Sequence, residues 1–154
     1  MHVSLKMAGL ALAGLFAGAA AAADLDVANP WVRGTVAAQK ATGAFMQLSS
    51  KGGVTLVGAA SPAAGIVEIH EMSMAGNVMK MRAVPRLEVP PGTPLEFRPG
   101  SYHVMLIDLK KPLAKGDVVP ITLKVEGRDK KVETVEVQAE VRDLTAPPAM
   151  EHRH

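Results

Sequence analysis

From Asp24 onward no stretch of the chain sustains a helical period of apolar residues; short β-favouring runs alternate instead with Gly, Pro, Asn and Asp. This is an all-β pattern. The expected strands are Leu25 to Val36 (interrupted near Asn29-Pro30), Thr42 to Leu48, Val54 to Ala60, Ile66 to Met74, Val78 to Ala83, Thr93 to Phe97, Tyr102 to Leu109, Val118 to Val125 and Lys131 to Val141. Pro62, Pro90-Pro91-Gly92, Pro99-Gly100 and Gly127 separate them, because Pro removes a ladder donor and Gly supplies positive φ. So many short strands in one domain predict two packed antiparallel sheets with Greek-key links, a β-sandwich. Ile121, Leu123 and Val125, set against Thr122, Lys124 and Glu126, mark an inner and an outer face. Val132, Val135 and Val137 repeat the pattern, with a bulge expected where the spacing breaks.

The N-terminus reads as an export signal. Lys6 closes a short positive region, Met7 to Ala20 is uncharged and apolar, and Ala21-Ala22-Ala23 offers the small residues of a cleavage site. The apolar part is shorter than the roughly 20 residues that span a bilayer, so a cleaved signal at 1–23 and a periplasmic protein without stable membrane insertion are expected. Residues 24–144 then form one domain, and 145–154 form a flexible Pro- and Ala-bearing tail. The chain carries 17 Lys and Arg against 15 Asp and Glu, with no basic cluster interleaved with aromatics, which argues against nucleic acid as a partner. It has no Cys, so disulfides, thiolate metal sites and Cys nucleophiles are all excluded. Soft-metal chemistry here must come from Met and His.

Only His70 and His103 lie in the body of the domain, and each is followed two positions later by Met: His70-Glu71-Met72 and His103-Val104-Met105. Residues two apart on a strand share a face, so each tripeptide sets an imidazole beside a thioether. With independent neighbours of this composition, the double coincidence would arise in about 0.3% of cases. The first tripeptide sits in an expected hairpin with Ala75-Gly76 at its tip, which would place His70, Met72, Met74, Met79 and Met81 on one outer face. A two-residue loop there sets Met72 opposite Met79 and His70 opposite Met81.

Thioethers gain little from water, so an exposed group of them needs a reason. Thioether is a soft neutral ligand suited to Cu(I), and imidazole also binds copper, whereas Zn(II) prefers Cys, His or carboxylate and only Glu71 is near. Singly, Met79 or Met81 reads as a core gap-filler and either His as a hydrogen-bonded half-buried residue. The joint pattern selects His70, Met81, His103 and Met105 as metal ligands. Met72 stands between the two readings, and Met46 and Met74 keep the core reading.

These residues make the chain resemble the periplasmic PCu(A)C-type copper chaperones, whose motif is His, ten residues, Met, twenty-one residues, His, one residue, Met. His70, Met81, His103 and Met105 match every spacing, and Val67-Glu68-Ile69-His70-Glu71-Met72-Ser73-Met74 and Met79-Lys80-Met81-Arg82 are similar to family members. The resemblance implies a cupredoxin-like Greek-key β-sandwich and a Cu(I) site of those four residues. It also implies copper delivery toward cytochrome c oxidase, through an oxidase copper domain or a Sco-type thiol protein. The tail resembles the C-terminal extensions of some members, which implies a second copper site, for Cu(II), at Met150, His152 and His154.

The resulting reading is a monomeric copper carrier rather than an enzyme, with periplasmic copper storage as its nearest rival. A blue-copper site needs Cys, which is missing. A copper-dependent redox enzyme needs an acid or base by an open coordination position, and Glu71, the one acid next to a ligand, alternates away from His70. A metal-free association domain leaves the motif unexplained.

Overall fold

The computed structural model describes residues 23–143. The signal expected at 1–23, apart from its last residue, and the tail expected at 145–154 lie outside the described residues. Ten strands follow in order: β1 (Asp26–Arg33), β2 (Ala41–Ser49), β3 (Val54–Ala60), β4 (Ala64–Ala75), β5 (Val78–Ala83), β6 (Leu87–Val89), β7 (Leu95–Phe97), β8 (Tyr102–Leu109), β9 (Val118–Glu126) and β10 (Val132–Arg142).

The all-β class is as the sequence implies, and β3, β5 and β8 fall on their expected ranges. The expected Thr93 to Phe97 strand is only Leu95–Phe97, and Leu87–Val89 is an additional strand. The three residues of that strand, on a four-residue stretch between Pro85 and Pro90, are too few to show alternation. The break foreseen at Asn29-Pro30 is a register shift between Ala28 and Trp31, with Asn29 in the left-handed region at φ 50°, a conformation Asn tolerates better than most residues. No bulge interrupts β10 against β9, contrary to expectation: the pairing runs unbroken from Val132 to Glu140, so Val132 falls on the outer face and is exposed while Val137 is buried.

The two layers are not separate sheets. Ladders connect the strands in the order β5-β4-β8-β2-β1-β10-β9-β3-β6, with β7 also on β2, and the β1–β10 pair is parallel. One buried cluster draws side chains from every strand except β5, so this long sheet folds over itself around a single core. Leu48, Leu56, Leu106, Ile121 and Leu123 are fully enclosed in it, each worth about 1.5–3 kcal/mol relative to exposure. Strand β5 forms one edge of the sheet, and all its residues are exposed.

Candidate metal centre

Alternation along β4 turns Ile69 into the core and sets Glu68, His70, Met72 and Met74 on the opposite, outer face. The hairpin closes through Gly76-Asn77, not Ala75-Gly76. Gly76 takes φ 63° as the first central residue of the turn, a position of positive φ that Gly occupies at no steric cost. Moving the tip by one residue changes the partners but not the faces. Met74 pairs with Met79, Met72 with Met81, and His70 with Ala83, so the expected pairs Met72–Met79 and His70–Met81 are replaced. His70 instead stands across from His103 on its other side, with Glu68 across from Met105.

His103 and Met105 therefore share the outer face of β8, while Val104 and Leu106 enter the core. The expectation of an exposed site fails at His103, which is only 3% exposed. Aromatic rings cover it: His70 lies edge-on with ring centroids 5.6 Å away, and Phe45 lies at 6.2 Å. Phe45 is buried yet stands apart from the core cluster, stacked at 4.6 Å on Trp31 and capped by the Arg33 guanidinium at 5.7 Å. Gly43, paired with Met105, makes room for that ring, since a Cβ there would come within 2.9 Å of Phe45 Cζ.

Hydrogen bonds decide which imidazole nitrogens are free. Glu68 Oε2 lies 2.7 Å from His70 Nε2. A carboxylate only accepts, so Nε2–H is the donor and the lone pair of the neutral ring sits on Nδ1. That Nδ1 is buried without any hydrogen-bond partner. A buried orphan acceptor costs on the order of 1–3 kcal/mol, and a metal ion would satisfy it. In His103, Nδ1 lies 3.4 Å from the Ser101 carbonyl, a weak contact that leaves Nε2 as the available lone pair. Burial holds His103 below its ordinary range, with His70 and Arg33 acting the same way and the Ser101 carbonyl opposing them. Burial thus favours the neutral ring, the form that binds metal.

A recess of about 370 Å³ opens onto His103: Met72, Met79, Met81 and Met105 line it as well, together with Phe45 and Arg33. Of the residues chosen from sequence, Met72, Met81, His103 and Met105 line this one recess and His70 stands beside His103, whereas Met150, His152 and His154 lie outside the described residues. Met46 is core at 3% exposed, as expected, but Met74 is 61% exposed and fills no gap. Glu71 turns away from His70 to an ion pair with Arg82 at 2.7 Å. It is not the only acid beside a ligand. Glu68 was missed, although its position two residues before His70 on a strand was the signal for it.

The donor set is chemically one-sided. Among the described residues no three His, Asp or Glu converge into a metal-binding cluster, and Cys is absent. Two imidazoles and two or three thioethers suit a soft monovalent cation, and the orphaned His70 Nδ1 fits such an ion.

Comparison with known proteins agrees with this architecture. The family described as "Putative lipoprotein LpqE-like" matches residues 25–141. A relative from Leifsonia xyli subsp. xyli, "Putative lipoprotein Lxx21020", is 30% identical over 101 residues, which cover 65% of this chain and 61% of that protein, about three fifths of its length. The solution structure of CuI-DR1885 from Deinococcus radiodurans is 35% identical, with TM-score 0.58 over 82% of this chain and 83% of that one. The apo PCuAC domain from PmoF1 is 24% identical and shares the fold, with TM-score 0.63 over 78% of this chain and 94% of that one. The architecture is the cupredoxin-like β fold of PCuAC domains. Matched from its first strand to its last, the chain belongs to the LpqE-like family.

Proposed function

We propose that this protein is an exported Cu(I) carrier that binds its ion through His70, Met81, His103 and Met105, with Met72 beside them, and hands it to a partner protein. One observation carries the reading: His70 and His103 face each other across β4 and β8, and the buried Nδ1 of His70 has no protein partner. The Cu(I) form of the Deinococcus radiodurans relative supports copper as the ion. The lipoprotein description of the family and the apolar segment before Asp24 support export, to the periplasm.

Copper is cargo here, and the residues suit that role. Glu68 fixes His70 with Nδ1 free, in the way a carboxylate orients a metal-bound histidine. Met81, half exposed at 48%, leaves one side of the site open to an incoming ligand. Thioethers and imidazoles can be exchanged one at a time, and a recipient bearing thiolates, such as a Sco-type protein or an oxidase copper domain, binds Cu(I) more strongly. Glu71 is held by Arg82, which leaves no free acid for catalysis at this position.

The test is to mix Cu(I)-loaded protein anaerobically with a thiolate-bearing apo recipient and a weak Cu(I) chelator. Transfer at a rate independent of chelator supports direct delivery. Transfer slowed in proportion to chelator means release into solvent, and the protein is then a copper store. Zn(II) displacing stoichiometric Cu(I) would end the copper reading altogether.

A further inference from the structure

The four-residue set uses only Met81 of the thioethers on the β4–β5 hairpin, yet Met72, Met74 and Met79 share its face. Met74 and Met79 are 61% and 48% exposed, so they are not core fillers, and they pair with each other at the tip of an edge hairpin. The next row inward, roughly 7 Å along the strands, is Met72 opposite Met81. The row after that is His70 opposite His103. His103 is only 3% exposed, and Met79 flanks the recess that reaches it. Soft donors thus run in successive rows from solvent to the buried His103 imidazole and His70 beside it.

We propose that Met74 and Met79 form an outer site for a soft monovalent cation, through which Cu(I) enters and leaves by way of Met72 and Met81. The inference rests on the carrier reading above and assigns the route to the same site. Each step is a ligand exchange: one copper–sulfur or copper–nitrogen bond forms as another breaks, copper stays monovalent, and neither proton nor electron is transferred. Two neutral thioethers bind weakly and do not compensate the charge of Zn(II), so the outer pair admits Cu(I) without trapping it and discriminates against harder dications.

The experiment uses the full chain with 13C-methyl-labelled Met and Ag(I) as a redox-inert soft probe, followed by NMR. The first equivalent is expected to shift the methyls of Met81 and Met105 and the ring signals of His103, and the second to shift Met74 and Met79 together. The double variant Met74→Leu/Met79→Leu should abolish the second response and keep first-equivalent affinity within about twofold, while loading from a weak Cu(I) chelator slows about tenfold. Leu keeps both positions apolar and both are exposed, so the fold is not at stake. Methyls of Met74 and Met79 that stay unmoved through the second equivalent, or a double variant that loads at the wild-type rate, overturn the proposal. A first equivalent that leaves His103 and Met105 unmoved overturns instead the four-ligand site, and with it any route leading there.

Discussion

The β9–β10 and β4–β5 hairpins are both antiparallel ladders of alternating side chains, but they leave their apolar residues in opposite places. In β9, Ile121, Leu123 and Val125 are at most 1% exposed, and Val137, Ala139 and Val141 of β10 join them in the core. In β4–β5, the outer face holds Met74, Met79 and Met81 at 48–61% exposed. One pattern has two meanings because the neighbours differ. Strand β9 lies between β10 and β3 inside the folded sheet, whereas β5 is an edge with a partner on one side only. Apolar residues on an unpaired edge gain little from burial, so thioethers persisting there point to chemistry rather than packing.

The sharpest way to break the comparison is to truncate one residue from each hairpin. Leu123→Ala should cost about 2–5 kcal/mol in chemical denaturation, by lost transfer energy and a cavity, while the folded fraction binds Cu(I) normally. Met81→Ala should do the reverse, weakening Cu(I) binding in a competition titration by at least about tenfold and moving stability by less than about 1 kcal/mol. A Leu123→Ala protein with folded but copper-deficient molecules would show that the two regions are not separable.

His103 belongs to both regimes, being a proposed ligand by chemistry and buried by position. His103→Ala is expected to lose at least about tenfold in Cu(I) affinity and also to lower the denaturation midpoint more than Met81→Ala does. Equal midpoints would mean that the rings of Phe45 and His70 close over the gap at no cost.

Smaller effects sharpen the same contrast. Gly76→Ala places a Cβ in the left-handed region at φ 63° and should cost about 1 kcal/mol, felt mainly as weaker Cu(I) binding because the hairpin presents the thioethers. Loss of stability without loss of affinity would show that the turn does not set the site.

An acid titration reaches the core hairpin through a single surface carboxylate. Hydrogen bonding and attraction from Arg86, aided by Lys130, hold Glu126 below its ordinary value of 4.5. The folded state then binds fewer protons than the unfolded one, so this stabilisation is present above that value and is lost as pH falls through the lower, folded one. Urea midpoints should therefore show wild type above Glu126→Gln at neutral pH and the gap closing in acid; a gap independent of pH would refute the pairing.

By itself the sequence determined the all-β class, the inner face of β9 and the choice of soft donors, because alternation and ligand chemistry are properties of residue type and spacing. Parity is robust: the hairpin tip moved by one residue, yet His70, Met72, Met74, Met79 and Met81 kept a common face. Only the tertiary structure decided which residues meet across strands. His70 faces His103 rather than Met81 because β8 lies against the other edge of β4, a long-range pairing that no local pattern encodes. The same folding buried His103 on a nominally outer face, beneath Phe45 from β2, and left His70 Nδ1 without a partner once Glu68 held Nε2. Exposure and lone-pair direction depend on what covers a face, and that is set by the way the whole sheet folds over itself.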